Sequence, residues 1–132
     1  MKISIVIPAL NEEAGIAAVI KQVPVKELEK MDYSVEIIVV NNGSTDRTPE
    51  IAAQNGAKVI YQPIRGYGNA YKAGFANASG DIIATGDADM TYPFDALPKI
   101  LTEMTRGGVR LRKHRSLDHI ESGSNVHLAC LW

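Results

Sequence analysis

Apolar residues recur along the chain in four short, dense runs, each followed by a polar stretch. Residues 3–7 form an almost continuous β-branched run closed by Pro8, the pattern of a strand buried on both faces in a parallel sheet. Asn11 is predicted to cap a helix that carries Glu12 and Glu13 in its first turn and Ile16, Val19, Ile20 and Val23 at helical spacing. Pro24 is expected to end it. Residues 35–40 are a second apolar strand, halted by Asn41, Asn42, Gly43 and Ser44. Thr45 or Asp46 then caps a short helix running to about Asn55, and Gly56 is placed to stop it. A third strand is predicted over residues 57–61, a loop and helix over 66–77 with Gly80 as the stop, and a fourth strand over 81–85. Strands and helices alternating in this way predict an open, mostly parallel α/β sheet with right-handed crossovers.

That fold decides where chemistry belongs, because ligands of open α/β sheets bind beyond the carboxyl ends of the strands. Those ends are the polar stretches 8–12, 41–46, 65–69 and 87–89. The fourth carries Asp87 and Asp89, one residue apart, which a strand can point the same way. Like charges that close raise each other's pKa unless a cation or a set of donors sits between them. A hard divalent ion with oxygen ligands is the usual remedy; Mg2+ or Mn2+ fits, and zinc does not, since no Cys or His lies nearby. The competing reading is that both are turn residues ahead of Pro93. At the third strand's end, Gly66-Tyr67-Gly68 invites a dinucleotide reading, but Tyr71 stands where the third glycine belongs and the motif follows the wrong strand. A phosphate contact suits it better, with Arg65 or Lys72 neutralising charge. Against this stands a plain tight turn with a solvated Lys72.

Composition narrows the partners. A chain of 132 residues is one domain by length, and its formal charge of −1 argues against a nucleic-acid surface. No run of about 18 apolar residues spans a membrane, and the start has too short an apolar segment for a secretion signal. Cys130 is the only cysteine, which excludes an internal disulfide and suits a reducing, cytoplasmic compartment.

Four motifs in order carry a family resemblance. Residues 5–13 (IVIPALNEE), 39–48 (VVNNGSTDRT), 65–70 (RGYGNA) and 86–89 (GDAD) resemble the family 2 glycosyltransferases of the GT-A fold. The similarity is closest to the branch of dolichyl-phosphate mannosyltransferase and related polyprenyl-phosphate sugar transferases, and it covers residues 1–104. It implies a Rossmann-like GT-A sheet cut to its nucleotide-binding half, and an inverting transfer from a nucleotide diphosphate sugar to a lipid-phosphate or glycan acceptor. On that resemblance Pro8, Asn11 and Glu12 lie against the base and ribose, and the Asn41-Asn42 turn contacts the base. Asp87 and Asp89 form the catalytic pair that reaches the diphosphate through Mg2+ or Mn2+, with Arg65 and Lys72 near the phosphates. Two residues depart from the pattern. Asn41 replaces the family's usual aspartate, leaving the choice of base open, and Thr91 stands where the closest branch often has a glutamine metal ligand.

The pattern stops near Met104. Residues 105–132 hold all three histidines, the only Trp and five of the 14 basic residues against two of the 15 acidic ones. The stretch 107–115 lacks both strand alternation and a sustained helical face. We expect a basic, solvated or disordered tail, the product of a truncation or shifted reading frame, with peripheral contact to anionic lipid at the cytoplasmic face of a membrane as a weaker reading. A sheet cut midway exposes an edge and the apolar face of Leu97, Ile100 and Leu101 unless something covers them, so self-association is also expected. Two rival readings remain: a nucleotide-sugar-binding module without turnover, and a structural α/β domain with no ligand.

Overall fold

The computed structural model describes residues 1–88 and 94–106, together with the backbone of two short strands at 120–121 and 127–130. Its centre is β1 (Lys2–Ala9), buried along nearly its whole length. Strand β2 (Ser34–Asn41) pairs with it in parallel, from Lys2 opposite Ser34 to Ala9 opposite Asn41. On its other side lies β4 (Ile82–Thr85), also parallel, and β3 (Lys58–Tyr61) pairs in parallel with β2. The helices between them are α1 (Ile16–Gln22), α2 (Val25–Lys30), α3 (Thr48–Gln54) and α4 (Tyr67–Asn77). A 3-10 turn at Phe94–Ala96 leads into α5 (Leu97–Arg106). Strands β5 (Ile120–Glu121) and β6 (His127–Cys130) complete the sheet order β3-β2-β1-β4-β6-β5, with β6 antiparallel to β4. No helix among the described residues is long and apolar enough to cross a membrane.

Alternation along β1 sends its side chains to two separate cores. Ile3, Ile5, Ile7 and Ala9 pack with Ile16, Val19 and Ile20 of α1, Leu28 of α2, and Leu97 and Leu101 of α5. Val6 faces the other way, with Ile38, Val40 and Ile83, and Ala70 of α4 covers them. α4 lies so close to the sheet that a Cβ on Gly74 would overlap Val6 Cγ1 and sit 3.2 Å from Val40 Cγ2.

Several expected boundaries shift, each for a local reason. Asn11 does not cap α1; it sits in the left-handed region at φ 53°, and α1 begins at Ile16 with Gly15 before it and no side-chain cap. Pro24 does more than end that helix, since α2 starts directly after it. α3 begins at Thr48, because Thr45 is tied to Asn11 and Asp46 accepts hydrogen bonds from Thr48. Gly80 does not stop α4, which ends at Asn77; a Cβ at Gly80 would come within 2.6 Å of Ser4 N and Oγ. Leu97, Ile100 and Leu101, expected to lie open unless covered, are buried in the first core. Strands β5 and β6 fall in the stretch where no strand pattern was read; the rest of that stretch lies outside the described residues.

At the amino ends of the strands a polar network ties β1, β2 and the approach to β4. Ser4 Oγ, fully buried, donates to Glu36 Oε1 and accepts the Gly80 N–H at 2.8 Å. Glu36 also accepts the Ser79 N–H at 2.7 Å and pairs with Lys2 Nζ at 3.2 Å. Burial works to raise the Glu36 pKa, but the Ser4 hydroxyl, the Ser79 N–H and hydroxyl, and Lys2 together hold it at about 2.

Candidate functional site

The chain winds from β1 outward to β2 and β3, then crosses back to β4 on the other side of β1. The loops leaving β1 and β4 therefore diverge, and an α/β sheet opens a crevice where that happens. A pocket of about 240 Å³ occupies it. Pro8, Ala9, Leu10 and Glu12 enter it from the exit of β1, and Asn42 from the end of β2. Gly66, Tyr67 and Ala70 supply the wall formed by the start of α4, and Asp87 and Ala88 follow β4.

Two carboxylates, Glu12 and Asp87, thus share one pocket with an α-helix N-terminus. Gly66, at φ 125°, turns the chain into α4 in a conformation that a residue with a Cβ adopts only with strain. The first N–H groups of a helix lack intrahelical acceptors and carry the positive end of its dipole, so this wall favours an anion. Tyr71 Oη donates to Asp87 Oδ1 at 3.4 Å, and the Tyr71 ring stacks with Tyr67 and Phe75 at centroid distances of 6.4 and 5.9 Å. Among the described residues the donor set of the lining is hard oxygen, which fits Mg2+ or Mn2+. Asp89 and Thr91 lie outside the described residues, and no group of three metal-ligating side chains occurs among those described.

Of the residues singled out from sequence, Pro8, Glu12, Asn42 and Asp87 meet in the pocket, while Asn11, Asn41, Arg65 and Lys72 do not line it. Lys72 is exposed, two residues and so about 200° around α4 from buried Ala70. Arg65 is exposed too, its Nε 3.7 Å from the Cβ position of Gly43 beyond β2. Asn11 and Asn41 build the loops. Asn41 Oδ1 accepts the Ser44 N–H at 2.8 Å, and Asn11 Oδ1 accepts the Thr45 N–H at 2.8 Å. In return the N–H groups of Asn11, Glu12 and Glu13 donate to Ser44 Oγ, Thr48 Oγ1 and Asp46 Oδ2 at 3.0, 2.8 and 3.2 Å. Arg47 N–H donates to Glu13 Oε2 at 3.1 Å. The Thr48 hydroxyl, chiefly, holds Asp46 below the usual carboxylate range, with burial opposing and the Thr48 and Glu13 N–H groups assisting. The β1–α1 and β2–α3 loops are thereby zipped side by side, which fixes Glu12 at the pocket. Sequence reasoning missed the aromatic row along α4, of which Tyr67 lines the pocket, although Tyr67, Tyr71 and Phe75 recur at a spacing of four along a predicted helix.

A doubly wound α/β sheet with a pocket lined by two carboxylates and a helix N-terminus at its topological switch point has the arrangement in which such sheets place their ligands. The chain's relatives make that more specific. The chain belongs to glycosyl transferase family 2, whose family model matches residues 4–112. It is 53% identical over 106 residues to the low-salt glycan biosynthesis hexosyltransferase of Haloferax volcanii, a match covering 80% of this chain and 25% of that protein. It is 33% identical over 112 residues to the dolichol-phosphate mannosyltransferase of Pyrococcus furiosus, covering 81% of this chain and 31% of that one. Among solved structures, glucosyl-3-phosphoglycerate synthase of Mycobacterium tuberculosis, in complex with Mn2+, uridine-diphosphate and glucosyl-3-phosphoglycerate, superposes with a TM-score of 0.63 at 36% identity. That match covers 78% of this chain and 39% of the synthase. The sheet and helices are thus the amino-terminal part of a GT-A fold, and the chain spans between a quarter and two fifths of these relatives' length.

Proposed function

We propose that the chain forms the donor-binding part of an inverting, metal-dependent glycosyltransferase. It takes a sugar from a nucleotide diphosphate sugar and passes it to a polyprenyl-phosphate or glycan acceptor. The observation that carries this reading is the pocket itself: the Asp87 carboxylate shares one lining with the first turn of α4 at the β1–β4 switch point. A diphosphate bridged to carboxylates by a cation needs both a hard-oxygen ligand and a wall that tolerates negative charge.

Asp87, joined by Asp89 in this reading, holds Mg2+ or Mn2+, which supplies Lewis-acid stabilisation of charge on the departing diphosphate. The first turn of α4 meets the phosphates through its N–H groups. Glu12 and Pro8 border the nucleoside, and the zipped loops keep Glu12 in place. Tyr71 donates to Oδ1 of Asp87 and so helps to orient that carboxylate. In the transfer an acceptor oxygen attacks the anomeric carbon from the face opposite the diphosphate. The bond from that carbon to the diphosphate oxygen breaks, and the nucleoside diphosphate departs with the electron pair. A phosphate acceptor enters as an anion and needs no strong general base, whereas a hydroxyl must lose a proton.

Calorimetric titration with UDP-, GDP- and dTDP-sugars in manganese, beside a product assay, tests the reading. At least one donor is expected to bind, and Asp87→Asn to weaken it by about tenfold or more through loss of a charged ligand. Absence of binding by every donor refutes it. A second reading is a donor-binding unit without turnover, which binds in the titration and forms no product.

A further inference from the structure

Alternation along β4 continues past the end of the strand. Ile82 and Ala84 belong to the first core and Ile83 to the second. The Gly86 N–H donates to Val6 O at 3.3 Å, which carries the pairing with β1 one residue beyond Thr85. Ala88, 3% exposed, returns to the first core, while Asp87 before it meets Tyr71 of α4 at 3.4 Å and lines the pocket. Where Gly86 faces the first core, a ring fills the space. A Cβ at Gly86 would lie 2.5 Å from Phe94 Cζ, 3.0 Å from Cε1 and 3.1 Å from Cε2. Phe94 is fully buried in the 3-10 turn that packs against α1 and α5, so its ring has nowhere to retreat. Gly86 does not adopt a left-handed φ; what this glycine provides is room.

From this packing we infer that Gly86 and Phe94 are a size-matched pair of positioning residues: the ring seated on the bare backbone of Gly86 aims Asp87 into the pocket. The inference rests on the reading of Asp87 as a ligand of the cation. The chain leaves β4 at Gly86 and returns at Phe94, so their contact joins the two ends of the segment that carries Asp87. With residues 86 and 88 both held toward the first core, the residue between them is left to face the other way. A methyl on residue 86 has to displace either the ring or the backbone, and both movements tilt the carboxylate that follows. Leucine in place of Phe94 lacks Cζ, Cε1 and Cε2, the three atoms that the methyl would meet. The same methyl is therefore harmful beside phenylalanine and helpful beside leucine, where it fills space that the shorter side chain leaves.

The test compares the wild-type chain, Gly86→Ala, Phe94→Leu and the double variant in two ways. Calorimetry titrates UDP and GDP, each with manganese, and separately uridine and guanosine, which carry no phosphate for a cation to bridge. Gly86→Ala is expected to weaken the diphosphates about tenfold or more, and the double variant to recover to within about threefold of the wild type, while the nucleosides shift less than about twofold throughout. Phe94→Leu alone is expected to bind the diphosphates more weakly than the double variant. Amide hydrogen exchange by NMR follows residue 86; its protection is expected to fall about tenfold in Gly86→Ala and to return in the double variant. A core contact without a positioning role would weaken diphosphates and nucleosides together, and that result overturns the inference. So does a wild type that binds a diphosphate no better than Gly86→Ala, or a double variant no tighter than either single one. If Gly86→Ala does not fold, the double variant against Phe94→Leu decides: tighter binding supports the pair, equal or weaker binding overturns it. If the wild type binds neither diphosphate, the proposed function fails on its own, and exchange at residue 86 decides: protection lost in Gly86→Ala and regained in the double variant supports the pair, and any other pattern overturns it.

Discussion

Removing one hydroxyl from the floor of the sheet should change both the stability of the chain and its response to acid. Ser4 is fully buried on β1, donates to Glu36 and accepts the Gly80 N–H at 2.8 Å. Ser4→Ala strips a charge-assisted bond from Glu36 and leaves the buried Gly80 N–H unpaired. A bond to a charged group contributes about 1.5–3 kcal/mol and an orphaned buried donor costs about 1–3 kcal/mol; since the two share one oxygen, the expected loss is about 2–4 kcal/mol. The pH dependence follows from Glu36, whose pKa is held at about 2 against an ordinary 4.5. A depressed carboxylate pKa means that the unfolded chain binds the proton more readily, so the stabilisation is fully present above about 4.5 and is lost as pH falls through 2. Discounted for the solvent that reaches the side chain, this amounts to about 1–2 kcal/mol. In Ser4→Ala the largest bond holding that pKa down is gone, so the slope of stability between pH 4.5 and 2 should flatten. Urea unfolding of the wild type, Ser4→Ala, Glu36→Gln and the double variant at pH 7 and pH 3 measures all of this. A Ser4→Ala loss below about 0.5 kcal/mol at pH 7, the range of an ordinary surface substitution, would refute the reasoning. So would parallel pH slopes for wild type and variant.

Other parts of the chain give sharper local tests. Gly74→Ala should destabilise by about 1–3 kcal/mol in urea, because the overlap with Val6 outweighs the better helix propensity of alanine; a neutral or stabilising result would mean that α4 sits farther from the sheet. Thr48→Val removes the hydroxyl that is buried between Glu12 N–H and Asp46. It should cost about 1–2 kcal/mol in thermal unfolding and weaken donor binding, since the two loops lose a shared fastener; unchanged binding would separate the zip from the site.

How much of this was legible in the sequence depends on what set each feature. The four parallel strands were, because β-branched runs between polar stretches leave little choice of structure. The alternation of strands and helices pointed to the loops beyond the strands' carboxyl ends, and the family resemblance singled out Pro8, Glu12, Asn42 and Asp87, which line the pocket there. Helix starts were misread where a polar side chain had two uses. Asn11 has the composition of a cap and Asp46 that of a helix start, yet each is bonded to the facing loop, and those bonds join residues 33 to 36 positions apart. No local rule reports a contact at that separation. The same applies to Gly80, which reads as a helix stop and instead makes room for Ser4, 76 residues away.

Lys72 and Arg65, singled out as phosphate contacts, are exposed and do not line the pocket. A lysine in a glycine-rich stretch reads as a phosphate ligand, but one helical face decides the matter, and Ala70 and Gly74 occupy the face that meets the sheet. Among the residues that line the pocket, the groups suited to an anion are the backbone N–H groups at the start of α4. Backbone donors keep their charge distribution at any pH and cannot be removed by a single substitution at Lys72. The position of the turn then matters more than the residues on it.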